Sequence, residues 1–75
     1  MIRQAIGNQT PLEIVYLKPN DEKSTRVVRP EAVGEMEYRG KTYLGMLAFC
    51  LMRNELRTFR IDRILKLRER PDIKP

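Results

Sequence analysis

The chain has no histidine, no tryptophan and a single cysteine among its 75 residues. Each shortage excludes a class of function. One thiol makes no internal disulfide, and without histidine there is no Cys–His zinc site. Acid–base chemistry near neutral pH loses its usual side chain. Paired carboxylates would have to replace it, and the acidic residues are scattered over predicted turns and strand exteriors. The four glycines stand singly, so no glycine-rich phosphate loop is present. No serine stands beside a base in a recognised nucleophile motif. The sequence therefore predicts a protein that is not an enzyme and carries no metal or cofactor.

Long apolar runs are also missing. No stretch approaches the roughly 18 apolar residues of a membrane span, and the N-terminus lacks the apolar core of a signal peptide. The strongly apolar run from Tyr43 to Met52 is short and contains Gly45, which fits a buried strand. Cys50 inside it fits a small core residue, and a lone thiol suits a reducing compartment. The expectation is a cytoplasmic protein without a membrane partner. A chain of this length forms one domain and buries roughly 60% of its unfolded surface, so its stability is marginal. The domain is expected over residues 1–70, with 71–75 a proline-flanked tail or linker.

What is abundant is positive charge, unevenly placed. The net charge is +5 and the isoelectric point about 9.8. Residues 1–37 carry five basic and six acidic groups, whereas residues 38–75 carry ten basic and four acidic ones. Ten of the fifteen basic residues are arginine, whose planar fork binds phosphate in a bidentate way and stacks on bases. This asymmetry points to a polyanionic partner. The competing explanation is a surface rich in ion pairs, since charged residues make up 33% of the chain.

Periodicity gives the elements. Ile2, Ala5 and Ile6 recur with helical spacing and predict a short helix, with Gly7-Asn8 as its stop. Leu12 to Leu17 predicts a strand, followed by a polar turn from Pro19 to Lys23. Thr25 to Val28 predicts a second strand, with Pro30 ending its regular pairing. Ala32 to Tyr38 alternates weakly, and Arg39-Gly40 signals a tight hairpin. Thr42 to Met52 predicts a central strand covered on both faces. Glu55 to Arg60 predicts a short strand, Ile61-Asp62-Arg63 a 3₁₀ turn, and Ile64 to Arg68 a last strand. A helix and five short strands with tight turns fit a small closed barrel. Pattern alone leaves an OB-type barrel as a competitor, although the Arg39-Gly40 turn is too short for the helix that fold carries.

The segment Arg57-Thr58-Phe59-Arg60-Ile61-Asp62-Arg63-Ile64 is the most informative stretch. It sets arginines among the apolar anchors Phe59, Ile61 and Ile64, so it is a folded element and not a basic tail. Together with Lys41-Thr42-Tyr43-Leu44 it resembles the WYL domain, a module named for a Trp-Tyr-Leu tripeptide. Tyr43 and Leu44 match that tripeptide, and Thr42 stands where the tryptophan usually does. Leu12-Glu13-Ile14-Val15-Tyr16 is similar to the family's first strand, and Ser24-Thr25-Arg26-Val27-Val28-Arg29-Pro30 to its Ser-x-Arg-Val-Val-x-Pro strand. The resemblance implies a mainly β fold: an N-terminal short helix, then a five-stranded Sm-like, SH3-type barrel with a 3₁₀ turn before the last strand. It also implies an accessory module of a larger protein, such as a transcription regulator or a Pif-family helicase.

The candidate nucleic-acid-binding residues are Arg26, Tyr43, Arg53, Arg57, Arg60 and Arg63. With Phe59 in the core, alternation turns Arg60 to solvent and puts Arg57 on the core side, reaching water at the rim. Asp62 is expected to pair with Arg26 or Arg57, since guanidinium groups are rarely buried without partners. Tyr43 is either a platform for bases or a core tyrosine with its hydroxyl at the rim; Tyr16 and Phe49 are expected in the core. Leu51 and Met52 border a turn where a partner protein could dock. The favoured ligand is single-stranded DNA, with RNA or a nucleotide-like anion as alternatives. Parent-protein domains such as a helicase core are the expected partners, and an oligomerisation role is the third reading.

Overall fold

The structure is a computed structural model that describes residues 2–73. Its elements are α1 (Ile2–Asn8), β1 (Leu12–Leu17), β2 (Lys23–Tyr38), β3 (Lys41–Cys50), β4 (Glu55–Arg60), a 3₁₀ turn (Ile61–Arg63) and β5 (Ile64–Glu69). The strands form one antiparallel sheet in the order β4-β3-β2-β1-β5.

Two expectations about the strands are corrected. Pro30 does not end β2. It lies opposite Ala48, and a bulge between Pro30 and Ala32 absorbs the irregularity. At Pro30 the strand has β3 on one side only, because pairing with β1 stops at Val28. A proline without an N–H is tolerated there. The two short segments read in the sequence are therefore one bent 16-residue strand. The sheet is also open, not a closed barrel. The 3₁₀ turn carries the chain from one sheet edge to the other and does not fold it back as a hairpin. Consequently β4 and β5 share no ladder.

The Tyr38–Lys41 hairpin is closed by Arg39 and Gly40, both with positive φ (52° and 77°). That is the signature of a primed two-residue turn whose twist matches the strands. The helix ends at Asn8, in the expected Gly7-Asn8 stop, with its left-handed cap one residue later. Gln9, at φ 56°, takes the left-handed position instead of Gly7 or Asn8. The Thr10 N–H then donates to the Ala5 carbonyl and the Gln9 N–H to the Ile6 carbonyl. This is the paired closure of a helix C-terminus.

Alternation along the strands sets the core. Leu12 and Ile14 of β1, Val28 of β2, Met46, Ala48 and Cys50 of β3, and Phe59 of β4 are buried, with Ala5 of the helix packed on them. Tyr16, half-buried, meets Phe59 edge-on at 5.2 Å between ring centres. The opposite side of β3 departs from expectation. Tyr43, Leu47 and Phe49 point outward and are only half-buried. Among the described residues no second layer of secondary structure lies over that side; arginines do. The Arg29 guanidinium stands 5.5 Å from the Phe49 ring centre and that of Arg60 stands 5.0 Å from Tyr43. Phe49 is thus an outer-face residue and not part of the core. The end of the domain is pinned, since the Arg70 N–H donates to the Pro11 carbonyl and its guanidinium grips Asp72 and Glu13. Within the expected tail or linker, Pro71 to Ile73 form a turn in which the Ile73 N–H donates to the Arg70 carbonyl, and residues 74 and 75 lie outside the described residues.

Candidate nucleic-acid interface

The outward side of β3 builds the first site. Tyr43 stands opposite Met36, and Gly45 stands between Gly34 and Arg60 on the neighbouring strands. A side chain at Gly45 would meet Met36 Sδ at 2.6 Å and Tyr43 Cε2 at 2.9 Å. Gly45 is therefore the space into which the Tyr43 ring lies down. Arg60, at the end of β4, covers that ring. Its Nε and Nη2 donate to the two carboxylate oxygens of Asp62, each at 3.1 Å. Its backbone N–H donates to the Tyr16 hydroxyl at 3.2 Å. Arg60 is thus fixed by a carboxylate, a ring and the main chain. Tyr38, Arg39, Lys41 and Thr42 complete a cleft of about 250 Å³ around the pair.

The partner of Asp62 differs from the sequence expectation. It is Arg60, not Arg26 or Arg57. Arg57 lies opposite Ala48 on the core side of β4, as alternation requires, reaches solvent at the strand's start, and pairs there with Glu55 at 3.6 Å. Arg26 lies on the inner side of β2, opposite Ile14. Arg60 alone meets Asp62 across the strand–turn junction. The pairing holds the Asp62 carboxyl below the usual carboxylate range, chiefly through the Arg60 hydrogen bond, and raises Arg60 in turn.

The other candidates separate from this pair. Arg26 and Arg53 line a second cleft with Lys18, Ser24, Thr25 and Met52. Arg63 is half-buried and donates to the Lys18 carbonyl at 3.3 Å, bracing the 3₁₀ turn against the end of β1. Arg57 and Arg63 line neither cleft. The six predicted residues accordingly do not share one groove. Arg39, Lys41 and Thr42 join the first cleft without being among the six candidates, together with Tyr38, an aromatic near the arginine segment. The signal for them in the sequence is the hairpin itself, which sets a cation on each side of Gly40 beside an aromatic. Among the described residues no group of acidic, Cys or His side chains is placed to hold a metal ion. No helix there is long and apolar enough to cross a membrane.

A bent antiparallel sheet with a terminal helix and an arginine–tyrosine cleft defines a small, cation-faced β domain. Residues 1–69 match the WYL domain family, and the chain belongs to it. Among solved structures it is similar to the proteasome accessory factor B/C (PafBC) of Arthrobacter aurescens, with a TM-score of 0.69 and 29% identity. The match covers 91% of this chain and 10% of that one, so this domain corresponds to a small part of the larger protein. The comparison with curated proteins finds no match.

Proposed function

We propose that the domain is a nucleic-acid-binding or sensing module of a longer protein, with single-stranded DNA its favoured ligand, bound across the Tyr43–Arg60 cleft. The observation that carries this reading is the pinned Arg60 guanidinium on the Tyr43 ring, with Arg39 and Lys41 on the facing hairpin. Single strands are held by cationic grooves that track the backbone and by aromatic rings on which bases stack. Tyr38 is 63% exposed, with the Arg39 guanidinium 5.3 Å from its ring centre, and offers its other face to a base. Tyr43 orients Arg60 and bounds the stack from below. Arg60, Arg39 and Lys41 meet the phosphates. Membership of the WYL family and the likeness to PafBC support a regulatory role. The bent sheet is an opened variant of the Sm-like barrel. The neighbouring parts of the longer protein, such as a helicase core, supply what this domain reports to.

The test is fluorescence anisotropy of the domain with labelled oligo-dT, duplex DNA and RNA of equal length. The expected order is oligo-dT first, with duplex weakest, because splayed bases are needed for stacking. Duplex binding as tight as oligo-dT would remove the aromatic part of the reading.

A further inference from the structure

The open sheet has two outer strands, β4 and β5, each with one unpaired edge among the described residues. An unpaired edge is a template for a further strand, and proteins usually blunt it with like charges or a bulge. β5 is blunted in both ways. Lys66 and Arg68 lie on its outward side, and its ladder with β1 is irregular between Val15 and Tyr16. β4 is blunted in neither. Its pairing with β3 is continuous from Glu55 to Arg60, and every residue except Phe59 is exposed, including Leu56 at 54%.

Hydrogen-bond parity shows which groups of β4 face the open edge. The two-residue turn at Arg39-Gly40 makes Tyr38 and Lys41 a hydrogen-bonded pair. Alternation from Lys41 turns the backbone groups of Leu47 and Phe49 toward β2, and those of Met46, Ala48 and Cys50 toward β4. Their partners Phe59, Arg57 and Glu55 therefore bond inward, while Leu56, Thr58 and Arg60 present N–H and C=O to the open edge. The Arg60 N–H, which donates to the Tyr16 hydroxyl and not to β3, has the orientation this requires.

The side chains make this edge self-complementary. Glu55 and Arg57 lie on the same side of β4 with opposite charges, and their contact within the chain, 3.6 Å, is too long for a hydrogen bond. Two β4 edges can meet antiparallel about a two-fold axis in three registers. Centred on Arg57, two guanidinium groups stand directly opposite, which is unfavourable. Centred on Thr58, the ladder needs the Arg60 N–H that Tyr16 already holds. Centred on Leu56, each Glu55 stands opposite the partner's Arg57. These two opposite-charge pairs fall at non-hydrogen-bonded positions, where side chains are closest. The two Leu56 side chains meet on the outward side of the sheet, each next to Phe49 of its own β3.

We propose that β4 is a self-association edge: two copies of this chain join antiparallel through β4, about a two-fold axis at Leu56, and extend the sheet to ten strands. The axis stands perpendicular to the sheet, so the Tyr43–Arg60 clefts of both copies open on the same side. A contact of this symmetry closes on itself and does not propagate. It is smaller than the roughly 1,200–2,000 Å² of a standard interface, so the dimer is weak, with a dissociation constant on the order of 0.1–1 mM.

The test is sedimentation equilibrium over a concentration series that reaches several times that constant. The mass should rise from 8.9 kDa toward twice that value. Arg57→Glu sets like charges opposite at both pairs and should weaken association at least about fivefold. Glu55→Arg should do the same. An equimolar mixture of these two variants restores both opposite-charge pairs and should associate again. Leu56→Lys should also weaken the dimer, whereas Leu65→Lys, on the other edge strand and 46% exposed, should not. All four positions are exposed, so the variants keep the fold, which their melting curves check. A constant mass of 8.9 kDa across the series, a mixture that fails to associate, or a dimer that Leu65→Lys disrupts and Leu56→Lys does not would each overturn the proposal. The measurement reads association alone and is independent of any ligand.

Discussion

Replacing Arg60 by alanine separates the binding face from the scaffold. Arg60 and Asp62 are half or more exposed, at 50% and 65% of their side chains. An ion pair in that setting is screened by water and contributes little to stability, and the cation–ring contact is exposed too. The backbone N–H that meets Tyr16 remains in the variant. Arg60→Ala should therefore lower the melting temperature by no more than a few degrees. Binding should respond differently. Each phosphate contact on a single strand adds about 0.7 to the slope of log K against log salt. Three contacts, from Arg60, Arg39 and Lys41, give a slope of about −2. The variant should fall to about −1.4 and bind more weakly at every salt concentration. The assays are a melting curve and an anisotropy titration of oligo-dT at several salt concentrations. An unchanged slope and affinity would refute the placement of phosphate at Arg60, and a collapse of the fold would make Arg60 a structural residue.

Four further outcomes follow from the same geometry. Phe59 is 4% exposed, so Phe59→Ala should cost about 3–5 kcal/mol in a denaturant titration. Arg57 pairs at the surface with Glu55 alone, so Arg57→Ala should change stability by no more than about 0.5 kcal/mol and leave the oligo-dT salt slope as it was; a large loss of stability would restore a buried brace. Gly45→Ala drives a methyl group into Met36 and the Tyr43 ring, so it should destabilise by about 1–3 kcal/mol and weaken oligo-dT binding by tilting the ring under Arg60. Asp62 has a folded-state pKa below its unfolded one through Arg60, so the contribution of this pair is present above the ordinary carboxylate range and is lost as pH falls through the depressed value. Melting temperatures of wild type and Asp62→Asn should accordingly converge below that range and differ above it; a difference that persists unchanged in acid would show that the pairing is not the cause.

The sequence made the element order and the core legible because both rest on local patterns. Leu12 and Ile14 alternate with polar or half-buried neighbours, Phe59 follows an exposed Thr58, and Arg39-Gly40 can close only a tight turn. Three things depended on distant contacts and were not legible. The bend of β2 at Pro30 needs β1 to have stopped pairing by that point, which no local signal states. The openness of the sheet depends on where the 3₁₀ turn sends the chain. The choice of Asp62 among several arginines depends on which side of β4 each one occupies. Alternation puts Arg60 outside and Arg57 on the core side, and the rule that a desolvated guanidinium needs a partner points Asp62 to the inner candidates. The structure leaves Arg26 without one and pairs Asp62 with the exposed residue two positions away. The division of the arginines into two clefts has the same origin, since Arg53 lies in the turn before β4 and Arg60 at the far end of that strand.

The most direct test of the account is to map where a single strand lies. A ¹H–¹⁵N titration of the domain with 5′-hydroxyl oligo-dT at low salt should move the Arg60 Nε–H and the amides of Tyr38, Arg39, Lys41, Thr42 and Tyr43 together, and the shifts should shrink as salt is raised. A titration that leaves those signals in place while moving residues elsewhere, or that moves nothing at low salt, would contradict the claim that this face binds single-stranded DNA.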